Sequence, residues 1–111
     1  MMLPLALITL ALGPWRGPSL PTTVRSAVKY KLTVRGPADD RVVLRADGLP
    51  KGWVASFCTR SVCSPFRYSM ELNDRGTGVI EFQAIRTDDS APKHPRVVIT
   101  TTGAKPIDLN I

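Results

Sequence analysis

The stretch Gly48-Leu-Pro-Lys-Gly-Trp-Val-Ala-Ser-Phe-Cys-Thr-Arg-Ser-Val-Cys63 holds both cysteines of the chain, Cys58 and Cys63. Just before the first cysteine, Trp53, Ala55 and Phe57 fall on one face of an extended segment, as in a half-buried strand. A second alternating run follows the second cysteine and consists of Phe66, Tyr68, Met70 and Leu72. The stretch therefore predicts two strands joined by a hairpin that turns back at residues 59–62.

This hairpin would place Cys58 and Cys63 opposite each other, within the separation that a disulfide tolerates. A redox-active pair usually has two intervening residues beside a helix, whereas here four residues intervene between strands. We therefore predict a Cys58–Cys63 disulfide that clips the hairpin at the edge of the fold, without crossing the core. Such a bond is typical of an oxidising compartment.

Five further segments repeat the alternation, at residues 28–34, 42–46, 80–84, 97–101 and 107–111, with turn-forming runs between them. Seven short strands with one apolar face each predict an all-β fold of two antiparallel sheets; a small closed barrel is the alternative. The shared phase of alternation predicts a core of Tyr30, Leu32, Val34, Leu44, Trp53, Phe57, Tyr68, Met70, Phe82 and Ile99.

The N-terminal segment, residues 1–25, differs from the rest. Residues 1–15 carry no charge, and the run Leu3–Leu12 is similar to the apolar stretch of a secretory signal. It is too short to span a bilayer, which takes about 20 residues. We expect a signal-like or extension segment at 1–25, a mature start between residues 14 and 27, and one domain at 26–111. A buried first strand is the alternative.

The chain has 111 residues and a net charge of +6, which favours acidic partners without specifying one. Basic residues alternate outward on two predicted strands and could line one sheet face: Lys29, Lys31, Arg35, Arg41 and Arg45. Binding of single-stranded nucleic acid would need stacking aromatic residues among them, and none is interleaved. We therefore predict no nucleic-acid partner.

The sequence offers little catalytic or metal-binding chemistry. A blue-copper site needs two histidines beside a cysteine, and the chain has only His94 to combine with Met70 and a cysteine. The pairs Asp39-Asp40 and Asp88-Asp89 are typical of turns rather than of a calcium loop. No nucleophile–base arrangement or phosphate loop is evident. We predict no catalytic, cofactor-binding or metal-binding residue and no enzymatic activity; a cupredoxin-like metal-binding sandwich is the alternative.

A sequence resemblance adds to this interpretation. A first strand at Tyr30–Val34 and a second at Val42–Ala46 lead into Leu49-Pro-Lys-Gly-Trp53. This order resembles immunoglobulin-like or fibronectin type III-like domains of bacterial secreted and envelope proteins, including the alpha-galactosidase-associated NEW type, over roughly residues 28–102. The resemblance implies a seven-stranded antiparallel immunoglobulin-like β-sandwich that acts as a structural or interaction module.

The same resemblance implies a secreted, periplasmic or envelope location and a protein or polysaccharide of the cell envelope as partner. The shortness of the N-terminal apolar run predicts no stable membrane span. The chain ends at Ile111 inside an apolar alternation, which is compatible with a fragment of a larger protein.

Overall fold

The computed structural model of the protein describes residues 8–15 and 27–111, and these residues form strands and turns. Within them, no helix is long and apolar enough to cross a membrane. The strands are β1 (Thr9–Pro14), β2 (Ala27–Arg35), β3 (Arg41–Asp47), β4 (Trp53–Cys58), β5 (Cys63–Pro65), β6 (Arg67–Glu71), β7 (Thr77–Arg86), β8 (Arg96–Thr100) and β9 (Ile107–Asn110).

The strands form two sheets with a shared core. A five-stranded sheet has the order β1-β2-β7-β4-β5, and a four-stranded sheet has the order β6-β3-β8-β9. Every neighbouring pair is antiparallel. The predicted all-β fold of two antiparallel sheets is confirmed. The sheets share one core because the apolar face of each sheet must be covered by the other.

The strand count of seven is wrong: the described residues contain nine strands. All seven predicted strands are present, and β1 and β5 are additional. Strand β5 has three residues, Cys63–Pro65, which is too short to show an alternating pattern.

Strand β1 comes from the segment predicted as a leader. It pairs with β2 from Thr9 opposite Arg35 to Pro14 opposite Tyr30, and Leu10 and Leu12 pack against the core. Thr9–Pro14 thus forms the first strand that the sequence left as an alternative. Residues 1–7 and 16–25 of the segment lie outside the described residues, and its removal on export stays a prediction.

The core between the sheets contains most of the predicted residues. Seven of them are buried: Leu32, Val34, Leu44, Trp53, Phe57, Phe82 and Ile99. The rings of Phe57 and Phe82 lie 5.3 Å apart between centroids, an arrangement that stabilises aromatic pairs.

Three predicted core residues are only half-buried: Tyr30, Tyr68 and Met70. Tyr68 and Met70 lie on β6, which is an edge strand of its sheet, so one flank of each side chain stays open. Tyr30 packs against Phe82 at 6.2 Å between ring centroids. Partial burial of its phenol raises the pKa of Tyr30 above its usual value by desolvation.

Trp53 closes one end of the sandwich together with Ala84 and Ala91. Its indole Nε1–H donates to the carbonyl oxygen of Pro92 at 2.7 Å, so the polar atom of a buried ring is satisfied. Gly52, just before it, has a φ of +93°. A Cβ at this position would lie 2.6 Å from that of Ala91, so the Gly-Trp step in the sequence reflects close packing.

Candidate interaction surface

The hairpin that joins β4 to β5 turns back at residues 59–62, as the sequence predicted. The predicted partner of β4 is wrong, because β4 pairs with the short β5, while the run Phe66–Leu72 forms β6 in the other sheet. Cys58 pairs with Cys63 in register, the structure joins their sulfur atoms, and their α-carbons are 4.0 Å apart. Thr59 closes the loop, since its N–H donates to the carbonyl of Val62 at 2.8 Å and its Oγ1 accepts from the N–H of Val62 at 3.2 Å. Both cysteines belong to one sheet, at its β5 edge; oxidation of the pair in the cell remains a prediction.

Phe66 follows this hairpin and links the two sheets through its backbone. Its N–H donates to the carbonyl of Ala55 in the five-stranded sheet at 2.9 Å. Its own carbonyl accepts from the N–H of Ala46 in the four-stranded sheet, also at 2.9 Å. The chain changes sheets at this residue, and both backbone groups of Phe66 are paired.

This crossing requires an unusual conformation. Phe66 has a φ of +61°, in the left-handed region that bulky residues rarely adopt. The conformation turns the side chain away from the core-facing side of the following strand, and the side chain is 44% exposed. The prediction that Phe66 shares a face with Tyr68, Met70 and Leu72 is wrong, because alternation breaks where φ changes sign. No sequence signal marks this position, since phenylalanine has no preference for positive φ.

A second exposed apolar residue lies in the loop of the β4–β5 hairpin. Val62 is 59% exposed at the loop end, next to the exposed Ser61 and Arg60. We call Arg60, Val62 and Phe66 the Phe66 edge. These residues lie before and after β5, whose outer backbone flank has no strand beside it in the described part of the chain.

The structure divides the basic residues that could have lined one face. Lys29, Lys31 and Arg35 lie on β2 of the five-stranded sheet, whereas Arg41 and Arg45 lie on β3 of the four-stranded sheet. Their side chains point away from a shared core, so the two groups occupy opposite outer faces. The hypothesis that all five basic residues line one sheet face is therefore wrong. Lys29 Nζ lies 4.0 Å from a carboxylate oxygen of Glu81, and both side chains are largely buried.

The candidate copper ligands lie far apart in the fold. The Trp53–Pro92 hydrogen bond holds the β7–β8 loop at the first residue of β4, while Cys58 is the last residue of that strand. His94, in this loop, is exposed, and its Nδ1 lies 3.2 Å from the carbonyl oxygen of Ile111. Met70 belongs to the other sheet. Residues 8–15 and 27–111 contain no cluster of three metal-ligating side chains.

The acidic pairs lie in turns. Asp40 accepts a hydrogen bond from the N–H of Arg41 at 3.0 Å, and Asp39 has a φ of +60°. Asp88 accepts from the N–H of Ser90 at 2.9 Å and from its hydroxyl at 2.8 Å. These two hydrogen bonds, followed by the nearby positive charge of Arg86, lower the pKa of the Asp88 carboxyl.

Comparison with known proteins links the chain to others by fold. No protein-family model matches the sequence, and no curated protein does. The structure is similar to a crystal structure of a conjugative transposon lipoprotein from Bacteroides eggerthii, with a TM-score of 0.55. The match covers 94% of this chain and 93% of that chain at 12% sequence identity. At this identity the likeness shows a shared fold.

Proposed function

We propose that the chain is a non-catalytic, exported immunoglobulin-like module of the cell envelope, and that it binds a protein partner through the Phe66 edge. The observation that carries the proposal is the exposed Phe66, held at a φ of +61° by backbone hydrogen bonds to both sheets. Left-handed backbone costs a bulky residue roughly 1–2 kcal/mol. Backbone strain clusters at functional sites such as ligand clamps, and aromatic residues, phenylalanine included, are enriched in protein–protein interfaces.

The strand order supports the immunoglobulin-like assignment. Constant-type immunoglobulin domains have strands A-B-E-D in one sheet and C-F-G in the other. Strands β1-β2-β7-β4 and β3-β8-β9 follow these two orders in sequence and in space. Strands β5 and β6 are then an insertion between D and E that adds one edge strand to each sheet. The Phe66 edge belongs to this insertion.

Three observations favour export. The cysteines are paired across a hairpin, which suits an oxidising compartment. The N-terminal segment contains the apolar run Leu3–Leu12 without a charge. The fold is shared with a protein described as a lipoprotein.

Photo-crosslinking in the native host tests the proposed surface. A photoreactive phenylalanine analogue at Phe66 should give a discrete crosslinked product in the envelope fraction. The same analogue at Val79 is the control, because Val79 is an exposed apolar residue (51%) in β7 of the five-stranded sheet. Equal product patterns from both positions would contradict binding at the Phe66 edge, and recovery of the protein in the cytoplasmic fraction alone would contradict export.

A further inference from the structure

A groove on the outer face of the four-stranded sheet is lined by two arginine side chains. Arg45 on β3 lies directly opposite Arg67 on β6 and, on its other side, opposite Thr100 on β8. Directly opposed side chains in a sheet have their Cβ atoms about 4.5–5.5 Å apart, so the two guanidinium groups can reach one small ligand. The groove has a volume of about 390 Å³ and is lined by Val43, Arg45, Arg67, Thr100, Thr101 and Thr102.

The two arginines lack a protein counter-charge. Ion pairs elsewhere in the described chain join Lys29 to Glu81 and Arg96 to Asp108. The side chains of Arg45 and Arg67 make no ion pair and no hydrogen bond with a described residue. The nearest carboxylate along β3 is Asp47, two residues away, which is roughly 6–7 Å along a strand. Like charges directly opposite each other destabilise a sheet unless something neutralises them.

We infer that this groove is a binding site for an oxyanion, a phosphate or sulfate group, held by Arg45, Arg67 and the Thr100 hydroxyl. Arginine presents a planar fork of N–H donors that matches such oxygens. Thr100 supplies an uncharged donor beside the fork. No carboxylate lines the groove to repel the ligand. Although Arg67 directly follows Phe66, the site uses none of the residues of the Phe66 edge, so the inference does not rest on the proposed function.

The oxyanion can come from the free ion or from an ester on an anionic polysaccharide, and the groove is open to both. Isothermal titration with inorganic sulfate, inorganic phosphate and dextran sulfate separates the two sources. If inorganic sulfate and dextran sulfate bind with comparable affinity per sulfate group, the ligand is the free ion. If dextran sulfate binds much more tightly, the ligand is the ester on a polysaccharide. Absence of saturable binding of all three probes would overturn the inference.

Charge-matched variants distinguish a built site from the general positive field. R45Q/R67Q should weaken binding by about tenfold per arginine, the loss expected for a charge-assisted hydrogen bond. R35Q/R75Q removes the same charge at two exposed positions, on β2 and in the β6–β7 turn, and should leave binding within about twofold. Equal losses in the two double variants would overturn the inference.

A charge-neutral variant completes the test. T100V keeps the β-branched shape and the net charge but removes the hydroxyl, and should weaken oxyanion binding several-fold. Unchanged binding in T100V, with binding lost in R45Q/R67Q, would exclude Thr100 and so overturn the three-residue site. Far-ultraviolet circular dichroism checks that each variant retains the strand signal of the parent.

Discussion

Phe66 is the residue at which local conformational preference and tertiary structure disagree. Its backbone serves two sheets, because its N–H and its carbonyl pair with Ala55 and Ala46 respectively. Loss of either bond would leave a polar backbone group unpaired near the core, which costs more than the left-handed conformation. The side chain follows the backbone and is displayed to solvent.

Two substitutions of Phe66 test its left-handed backbone conformation. F66G should be more stable than F66A by about 1 kcal/mol, because glycine adopts positive φ without a steric cost while alanine retains it. Urea unfolding of both variants measures the difference. If F66G proves less stable than F66A, the left-handed conformation is absent in solution.

Asp88 provides a test of the turn that precedes β8. Hydrogen bonds from Ser90 lower the pKa of the Asp88 carboxyl, so the ionised form is favoured in the folded state. This stabilisation is present above the unfolded-state pKa, near 4, and is lost as the pH falls through the lower folded-state pKa. S90A removes the hydroxyl donor but keeps the backbone N–H at this position, so it should raise the pKa of Asp88 only part of the way toward its usual value, as measured by NMR titration of the carboxyl carbon. An unchanged pKa would show that the Ser90 hydroxyl does not hold the carboxylate.

The β4–β5 hairpin and strand β1 are the two elements at opposite edges of the five-stranded sheet. The hairpin is held by backbone pairing and by the cysteine pair, whereas β1 is held by pairing with β2 and by its leucines. Each element can be tested with variants confined to it.

Removal of the cysteine pair should weaken the hairpin without unfolding the domain. C58S/C63S is expected to lower the free energy of unfolding by roughly 1–3 kcal/mol, since the closed loop is short. Equilibrium denaturation of the oxidised parent and the variant measures the effect. Reduction of the parent should reproduce it, and a parent indifferent to reductant would contradict a structural bond.

The inward leucines of β1 should contribute to stability and its outward residues should not. L10S/L12S is expected to lower the free energy of unfolding by about 2–4 kcal/mol, because both half-buried side chains pack on the core. T9S/A11S, on the exposed face of the same strand, should change it by no more than about 0.5 kcal/mol. Equal effects of the two double variants would contradict the docking of β1.

At the scale of the whole molecule, cleavage of the predicted export signal and retention of strand β1 exclude each other. Cleavage between residues 14 and 27 would remove β1 and leave β2 as the sheet edge, with backbone groups open to a new strand. The molecule therefore has two possible edges for the same sheet, depending on whether residues 8–14 are retained.

Mass spectrometry of protein from the native host tests the processing. We expect an N-terminus between residues 14 and 27, since the apolar run resembles a signal. Thiol counting under denaturing, unreduced conditions should find neither cysteine free. An intact Met1 in cytoplasmic protein, or two free thiols in exported protein, would contradict export.

The sequence by itself was sufficient for the fold class and for most of the core. Strict alternation across seven segments follows from the two-residue period of a strand, which any sheet face must obey. The burial of Trp53 and the position of the cysteine hairpin also followed from the sequence, because a turn of four residues brings Cys58 opposite Cys63, although the strand after the turn is β5 and not the alternating run of β6. These features depend on local geometry.

The tertiary structure alone determined which strands meet. It placed Arg45 beside Arg67 and Thr100, although these residues are distant in sequence, and separated Arg45 from the lysines of β2. It also put the apolar run of β1 into the sheet and reversed Phe66. Alternation specifies the face on which a side chain lies but carries no information about the neighbouring strand, and backbone hydrogen bonding between sheets overrides a residue's own preference for φ.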